Sequence, residues 1–433
     1  MANYLKIKYK EKKGEAEKLL REYIPRPIAS TNGIRLTIFN AVIKTFLDDE
    51  MQRNCEQILS CISKLKGNWE QRYNFNTPSI GLIQLVASAQ KFKRQQQIED
   101  SSNLQRVSQY KTDKFHAVKR MSEIAFKMYE IAELKEEDEE KKILDILELP
   151  SEGKILNKHF SNQENEYIPK FILFVDDENK SVILAIRGTA SLKDIIVDLV
   201  CSEAEFLDGH APQGMLLCAH RILDKCKNQI VNTLKENPGY KLTLTGHSLG
   251  GGVAILITMI LLTDQFDEEI DMFNLRDDLK CYAYSPPPVY SDESLQRFKK
   301  NIVVVINGKD CVPRLCIASM DRLLLMMQAI DSEGMTFLQR TEVYLKSNRH
   351  DKVLEKLCSI IENVQTTYLK QLKHPGKILH INKISGQGNE TNFKLCKSDS
   401  AIFENFVFYK HMIRDHESGY FRESLRKTKY IEK

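Results

Sequence analysis

The chain has 433 residues, with 63 Lys and Arg against 59 Asp and Glu, a net charge of +4 and a hydrophobic share of 42%. Charge so nearly balanced excludes a global field that would hold nucleic acid, and the composition is that of a globular protein able to bury a large core. The start, Met1-Ala2-Asn3-Tyr4-Leu5-Lys6-Ile7-Lys8, turns charged at once and has no apolar h-region, so no secretory signal is expected.

Residues 1–112 are expected to form an N-terminal helical region. Lys6, Lys8, Lys10, Lys12 and Lys13 read as a solvated helix face, with contact to an anionic lipid surface as the alternative. Residues 34–65 place apolar side chains at three- and four-residue steps, which predicts a helix. Residues 91–103 (KFKRQQQIEDSSN) are polar and read as a linker.

From Phe115 the texture changes, and residues 113–433 read as one domain with a helical insertion at about 317–373. Residues 117–132 predict an amphipathic helix, and 133–142 a charged, solvated stretch. Strands are predicted at 171–175, 182–186, 241–245, 281–285, 302–306 and 377–381. Helices are predicted at 214–236 and 250–262. Short apolar strands separated by helices point to an α/β fold, a mostly parallel sheet with helices on both faces, and the motifs set out below imply that it is of α/β-hydrolase type.

The stretch TLTGHSLGGGVAILITMILL, residues 243–262, has no Asp, Glu, Lys or Arg. Its apolar run 253–262 is much shorter than the roughly 20 residues that a membrane-spanning helix needs. Strand, tight turn and buried helix is the expected reading. The turn, Gly246-His247-Ser248-Leu249-Gly250, has the G-x-S-x-G form that exposes a serine nucleophile. Gly246 and Gly250 would let strand and helix pass close together.

A serine hydroxyl needs a base, and an imidazole base needs a carboxylate to orient it. In sheets of this type the order is Ser, then acid, then His. Asp310 follows the apolar strand 302–306 and is the candidate acid, with an ordinary turn aspartate as the alternative. Asp277 and Asp278 precede a strand and belong to the other sheet edge. Five histidines follow: His350, His374, His380, His411 and His416. His416, on a polar loop, is favoured as base over His380, which lies in a strand-like run. His247 is expected to pack or hydrogen-bond locally. The oxyanion donors are expected to be the N–H groups of Leu249, at a helix start, and Thr189, with its hydroxyl, after a strand end. Arg187 is expected to brace the structure.

These residues, taken with others, resemble the class 3 (fungal-type) lipases and, within them, the sn-1-specific diacylglycerol lipases. The resemblance covers roughly residues 113–425. It rests on Arg187-Gly188-Thr189 with Ser191-Leu192-Lys193-Asp194 and Asp198-Leu199, then Gly209-His210 with Gln213-Gly214-Met215, then Gly246 to Gly251. Tyr284-Ser285-Pro286-Pro287, Gly308-Lys309-Asp310 with Val312-Pro313-Arg314, and Asp415-His416 with Tyr420 follow in order, the last with one extra residue in the gap. The resemblance implies a Ser248, Asp310, His416 triad, an oxyanion hole at Thr189 and Leu249, and glycerolipid ester hydrolysis through an acyl-serine without metal or cofactor. It also implies a lid near Ile195 and Ile196, with simply buried residues as the alternative. Leu324 and Met327, in the Leu- and Met-rich run 320–336, are candidates to cap the cleft or meet lipid, with a packed insertion as the alternative.

The ten cysteines are scattered with no Cys-x-x-Cys, which suggests neither a zinc ribbon nor a thioredoxin-like site and points to a reducing compartment, the cytoplasm. The expected partner is a glycerolipid substrate, with peripheral membrane or lipid-droplet association. The alternatives are a phospholipase A1 or carboxylesterase, and an inactive lipid-binding module.

Overall fold

A strand covered on both faces reads as a continuous apolar run. Such runs form the centre of this protein. The computed structural model describes residues 50, 53–54, 57–58, 79–100, 112–134, 140–150, 153–160, 168–189, 202–263, 275–335, 339, 343, 352–364, 369–385 and 391–428. The chain divides into two units. One comprises 1–105, 321–367 and 407–411, the other 106–320, 368–406 and 412–433.

The larger unit is built on an eight-stranded sheet. In chain order the described elements are α1 (Ser79–Asp100), α2 (Thr112–Ile131), α3 (Glu140–Leu147), β1 (Ile155–His159), β2 (Phe171–Asp176) and β3 (Ser181–Ile186). Next come β4 (Glu203–Phe206), β5 (Gly209–Pro212), α4 (Gln213–Glu236), β6 (Lys241–His247), α5 (Leu249–Leu262), β7 (Leu279–Tyr284) and β8 (Ile302–Asn307). Then follow α6 (Ile317–Ser332), α7 (Lys352–Asn363), β9 (Lys377–Ser385), β10 (Thr391–Ser398) and α8 (Ser418–Lys427). The sheet order is β1-β2-β3-β6-β7-β8-β9-β10. The run β3-β6-β7-β8-β9 is parallel, and antiparallel pairs close both ends, β1-β2-β3 and β9-β10.

Side chains alternate across a strand, so each strand feeds two cores. Tyr284 faces α2, where its hydroxyl donates to the Val118 carbonyl. On that side Phe126, Met128, Ile183, Ala185, Val305, Phe421 and Leu425 form one cluster. Ala283, one residue back, faces α5, where it lies close to Gly251. Helix α4 packs on α5 over that second face. Burying a Leu, Ile, Val or Phe side chain contributes about 1.5–3 kcal/mol, so this double-sided core dominates the unit's stability. The result is an α/β-hydrolase-type sheet with helices on both faces.

In the smaller unit α1 packs on α7. Arg94 Nη2 and Gln90 Oε1 bond the carbonyl and N–H of Phe408, and Asn54 Nδ2 donates to the Lys410 carbonyl at 2.9 Å.

Residues 91–100 are helical rather than a linker. The segment has no Gly or Pro, and Lys, Arg, Gln and Glu are good helix formers despite their polarity. Strands β1 and β10, of mixed polarity and partly exposed, and the short hairpin β4-β5 carried no apolar run and were not anticipated. The predicted helix 34–65 falls almost wholly outside the described residues, and the basic start lies outside them. Residues 243–262 form strand, turn and helix, and among the described residues no helix is long and apolar enough to cross a membrane.

Candidate active site

Ser248 sits between β6 and α5 with φ 58° and ψ −130°, a conformation that L side chains avoid. The packing around it holds this strain in place. Its N–H donates to the Tyr284 carbonyl on β7 at 2.8 Å. A Cβ on Gly246 would lie 2.5 Å from the Gly250 carbonyl carbon, and one on Gly250 would run into the backbone of Ile186 and Arg187. Both positions therefore require glycine for the helix to pass over the strands.

The turn after β8 carries Asp310. The carboxylate is buried, and Oδ1 accepts the Val312 N–H at 2.8 Å. The helical turn Arg414–His416, just before α8, carries His416. Its Nδ1–H donates to Asp310 Oδ2 at 2.8 Å, and its Nε2 accepts from Ser248 Oγ at 2.9 Å. Residues 248, 310 and 416 thus form one hydrogen-bonded relay across three separate turns at one edge of the sheet. The imidazole lies within hydrogen-bond reach of the serine hydroxyl, the geometry that a general base requires. Ser248 has no exposed surface, while the His416 side chain keeps 12% exposure.

His247 packs beneath the relay. Its ring lies 4.6 Å from that of His416 and touches Phe126 and Phe421. Its Nδ1 is hydrogen-bonded to the Tyr129 hydroxyl at 2.8 Å. Burial, and then the neighbouring His416, hold its pKa well below the ordinary imidazole value. Burial likewise raises the Tyr129 phenol. His247 is therefore a neutral packing ring committed to a local partner.

His380 does not reach the serine. It lies on β9, where Nε2–H donates to the Gly308 carbonyl at 2.6 Å, and burial lowers its pKa to about 4. His374 is similarly buried, donates to the Pro313 carbonyl at 2.8 Å and is lowered to about 4. His411 bonds Glu50, and His350 lies outside the described residues. Asp277 pairs with Lys300 at the start of β7, the opposite end of that strand from Tyr284 and Ser248.

Thr189 follows β3, directly after Gly188. A Cβ on Gly188 would lie 3.0 Å from Ser248 Cβ, so this segment runs beside the nucleophile. Thr189 Oγ1 is buried without a hydrogen-bond partner among the described residues. Leu249 opens α5, where first-turn N–H groups lack helical acceptors. Arg187 pairs with Glu133 at 3.2 Å and lies over the Tyr129 ring, a bracing arrangement. Of the candidate lid residues, Ile195 and Ile196 lie outside the described residues. Leu324 and Met327, on α6, are buried and offer no surface to lipid in this conformation. Among the described residues no group of acidic, His and Cys side chains has the arrangement of a metal site.

Sequence reasoning gave no structural role to Asp415, Tyr129 or Ser285. Asp415 stands beside the base in the motif Asp415-His416 with Tyr420, which marks its place but not its partners. Ser285 follows β7 at φ 41°, fully buried, with Oγ unpartnered. Nothing in the sequence marks that strain.

Residues 183–320 match the family Lipase (class 3). The chain is similar to diacylglycerol lipase-beta of Mus musculus, 33% identical over 175 residues, which are 38% of this chain and 24% of that protein. It is equally similar to diacylglycerol lipase-alpha of Homo sapiens, 33% identical over 170 residues, 36% of this chain and 15% of that protein. The matched region thus spans a quarter or less of these relatives. Among solved structures, a lipase from Rhizopus microsporus var. chinensis is similar at a TM-score of 0.47 and 15% identity, covering 73% of this chain and 92% of that one.

Proposed function

We propose that this chain is a class 3 lipase related to the diacylglycerol lipases, a serine hydrolase that cleaves acyl esters of glycerolipids, with diacylglycerol the favoured substrate. The observation that carries the reading is the unbroken hydrogen-bond chain from Ser248 Oγ through His416 to Asp310.

In this mechanism Ser248 Oγ attacks the ester carbonyl carbon while His416 Nε2 takes its proton. Asp310 holds the imidazole in the tautomer with its proton on Nδ1 and stabilises the charged ring that forms. The N–H groups of Thr189 and Leu249 donate hydrogen bonds to the carbonyl oxygen as negative charge develops on it. One such donor is worth about 3–4 kcal/mol in the transition state. The carbon–oxygen ester bond breaks, His416 returns the proton to the leaving glyceride oxygen, and an acyl-serine remains. Water, deprotonated by His416, then releases the fatty acid and regenerates Ser248.

The test is product analysis on diacylglycerol, triacylglycerol, monoacylglycerol and phospholipid, with fluorophosphonate labelling of the wild type and Ser248→Ala. Fatty acid release with diacylglycerol preferred, and labelling lost in the variant, is the expected result. Preference for phospholipid would assign a phospholipase A1. A folded wild type that neither labels nor hydrolyses any of the four would assign a lipid-binding module.

A further inference from the structure

The residue before the candidate base clasps the turn that carries the candidate acid. Lys309 N–H donates to Asp415 Oδ2 at 2.7 Å, and Asn307 Nδ2 donates to the Asp415 backbone carbonyl at 2.9 Å. Between them Gly308 adopts φ 50°, and the Asp415 carboxylate occupies the space that a Cβ at 308 would need. From the other side His380 Nε2–H donates to the Gly308 carbonyl at 2.6 Å, and Gly308 N–H donates to the Ile381 carbonyl at 2.8 Å. Asn307, Asp310, Asp415 and His380 are all buried.

This arrangement meets a mechanical need. Asp310 and His416 sit on different turns, 106 residues apart, and one bond between their side chains cannot fix both turns. The Val312 N–H orients the Asp310 carboxylate within its own turn only, and the backbone bond from Cys311 N–H to the Met412 carbonyl at 3.2 Å joins the two segments four residues before the imidazole rather than beside it. Hydrogen bonds to a carboxylate are shorter and stronger than neutral ones. A carboxylate rooted beside the imidazole and bonded to the backbone beside the acid therefore sets the spacing of the two turns directly.

We propose that Asp415 is a positioning residue, whose carboxylate locks the Asn307–Asp310 turn to the His416 turn and so keeps Asp310 in register with the imidazole. The inference rests on the catalytic reading of Ser248, Asp310 and His416 given above. The clasp acts on the geometry of proton transfer and leaves substrate binding alone.

The test is steady-state hydrolysis of diacylglycerol in detergent micelles by the full chain, with thermal melting of each variant. The variants are Asp415→Ala, Asp415→Asn, Asn307→Ala and Ser248→Ala. Asp415→Ala is expected to lower kcat roughly 10- to 100-fold, as a misplaced catalytic pair does, with KM held within about twofold. Asp415→Asn keeps an oxygen that can accept the Lys309 N–H, and is expected to recover most of kcat. Equal loss in the Asn and Ala variants, a change confined to KM, or kcat unchanged in Asp415→Ala would each overturn the proposal. Should Asp415→Ala not fold, Asn307→Ala decides, because it removes the other arm without touching the buried charge. A fall in kcat at constant KM supports the clasp, and unchanged kcat overturns it. Activity persisting in Ser248→Ala refutes the catalytic reading itself. A dead Ser248→Ala beside a normal Asp415→Ala refutes the clasp alone.

Discussion

His416 Nε2 lies 2.9 Å from Ser248 Oγ, although 168 residues separate them in the chain. The contact depends on two turns at one sheet edge, one opened by the strained Ser248 backbone and the other tied to β8 through Asp415.

Asp310→Asn preserves shape but allows the side-chain amide to donate to His416 and favour the wrong tautomer. Ester hydrolysis is expected to fall by about 10³–10⁴-fold, with binding to lipid vesicles and the melting temperature little changed. Parallel kinetics and vesicle sedimentation would check this. A loss of only a few-fold would remove Asp310 from the mechanism.

Gly250→Ala places a methyl group against the Ile186 and Arg187 backbone, where no side chain can move aside. Destabilisation of about 1–3 kcal/mol or more is expected, read from denaturant midpoints, together with loss of activity as the elbow shifts. A variant as stable and active as the wild type would contradict the close passage of α5 over β3.

Ser285→Gly should stabilise the protein. The residue holds φ 41° and buries a hydroxyl without a partner. Relieving both costs outweighs the extra freedom that glycine has in the unfolded chain, for a net gain of about 1 kcal/mol. Urea unfolding measures it, and a decrease in stability would mean that the hydroxyl makes a contact of value in the folded state.

His374 and His380 give a pH dependence whose sign is fixed. Each ring is lowered from 6.5 to about 4 by burial, so between those values the unfolded chain binds more protons than the folded one. Their contribution is complete above pH 6.5, falls as pH drops through the window and levels off below about 4. It is worth on the order of 3 kcal/mol for each ring. Melting at pH 7.5 and pH 5 should show a smaller drop in His380→Gln than in the wild type. An identical drop in both would show that His380 is not buried neutral.

The central strands were legible because a two-faced strand must be apolar along its whole length, as in FILFVD of β2 and SVILAI of β3. The elbow was legible because a close passage of helix over strand demands glycine at fixed offsets from the serine. Outer strands such as β1 (ILNKH) bury only part of each side chain and so lack that signature. Residues 91–100 misled because a solvated helix and a loop share the same polar composition.

Local features are written along the chain: where the central strands and helices lie, that Ser248 stands at a strained turn, and which acids and histidines follow it. Those features depend on neighbours a few residues away. It took the folded chain to bring His416 to the serine and His380 to Gly308, to seal His247 against Tyr129, and to carry Asp415 across to Lys309. Each of these is a contact between residues more than 70 positions apart, set by the order in which parallel strands pair. No spacing along the chain encodes that distance.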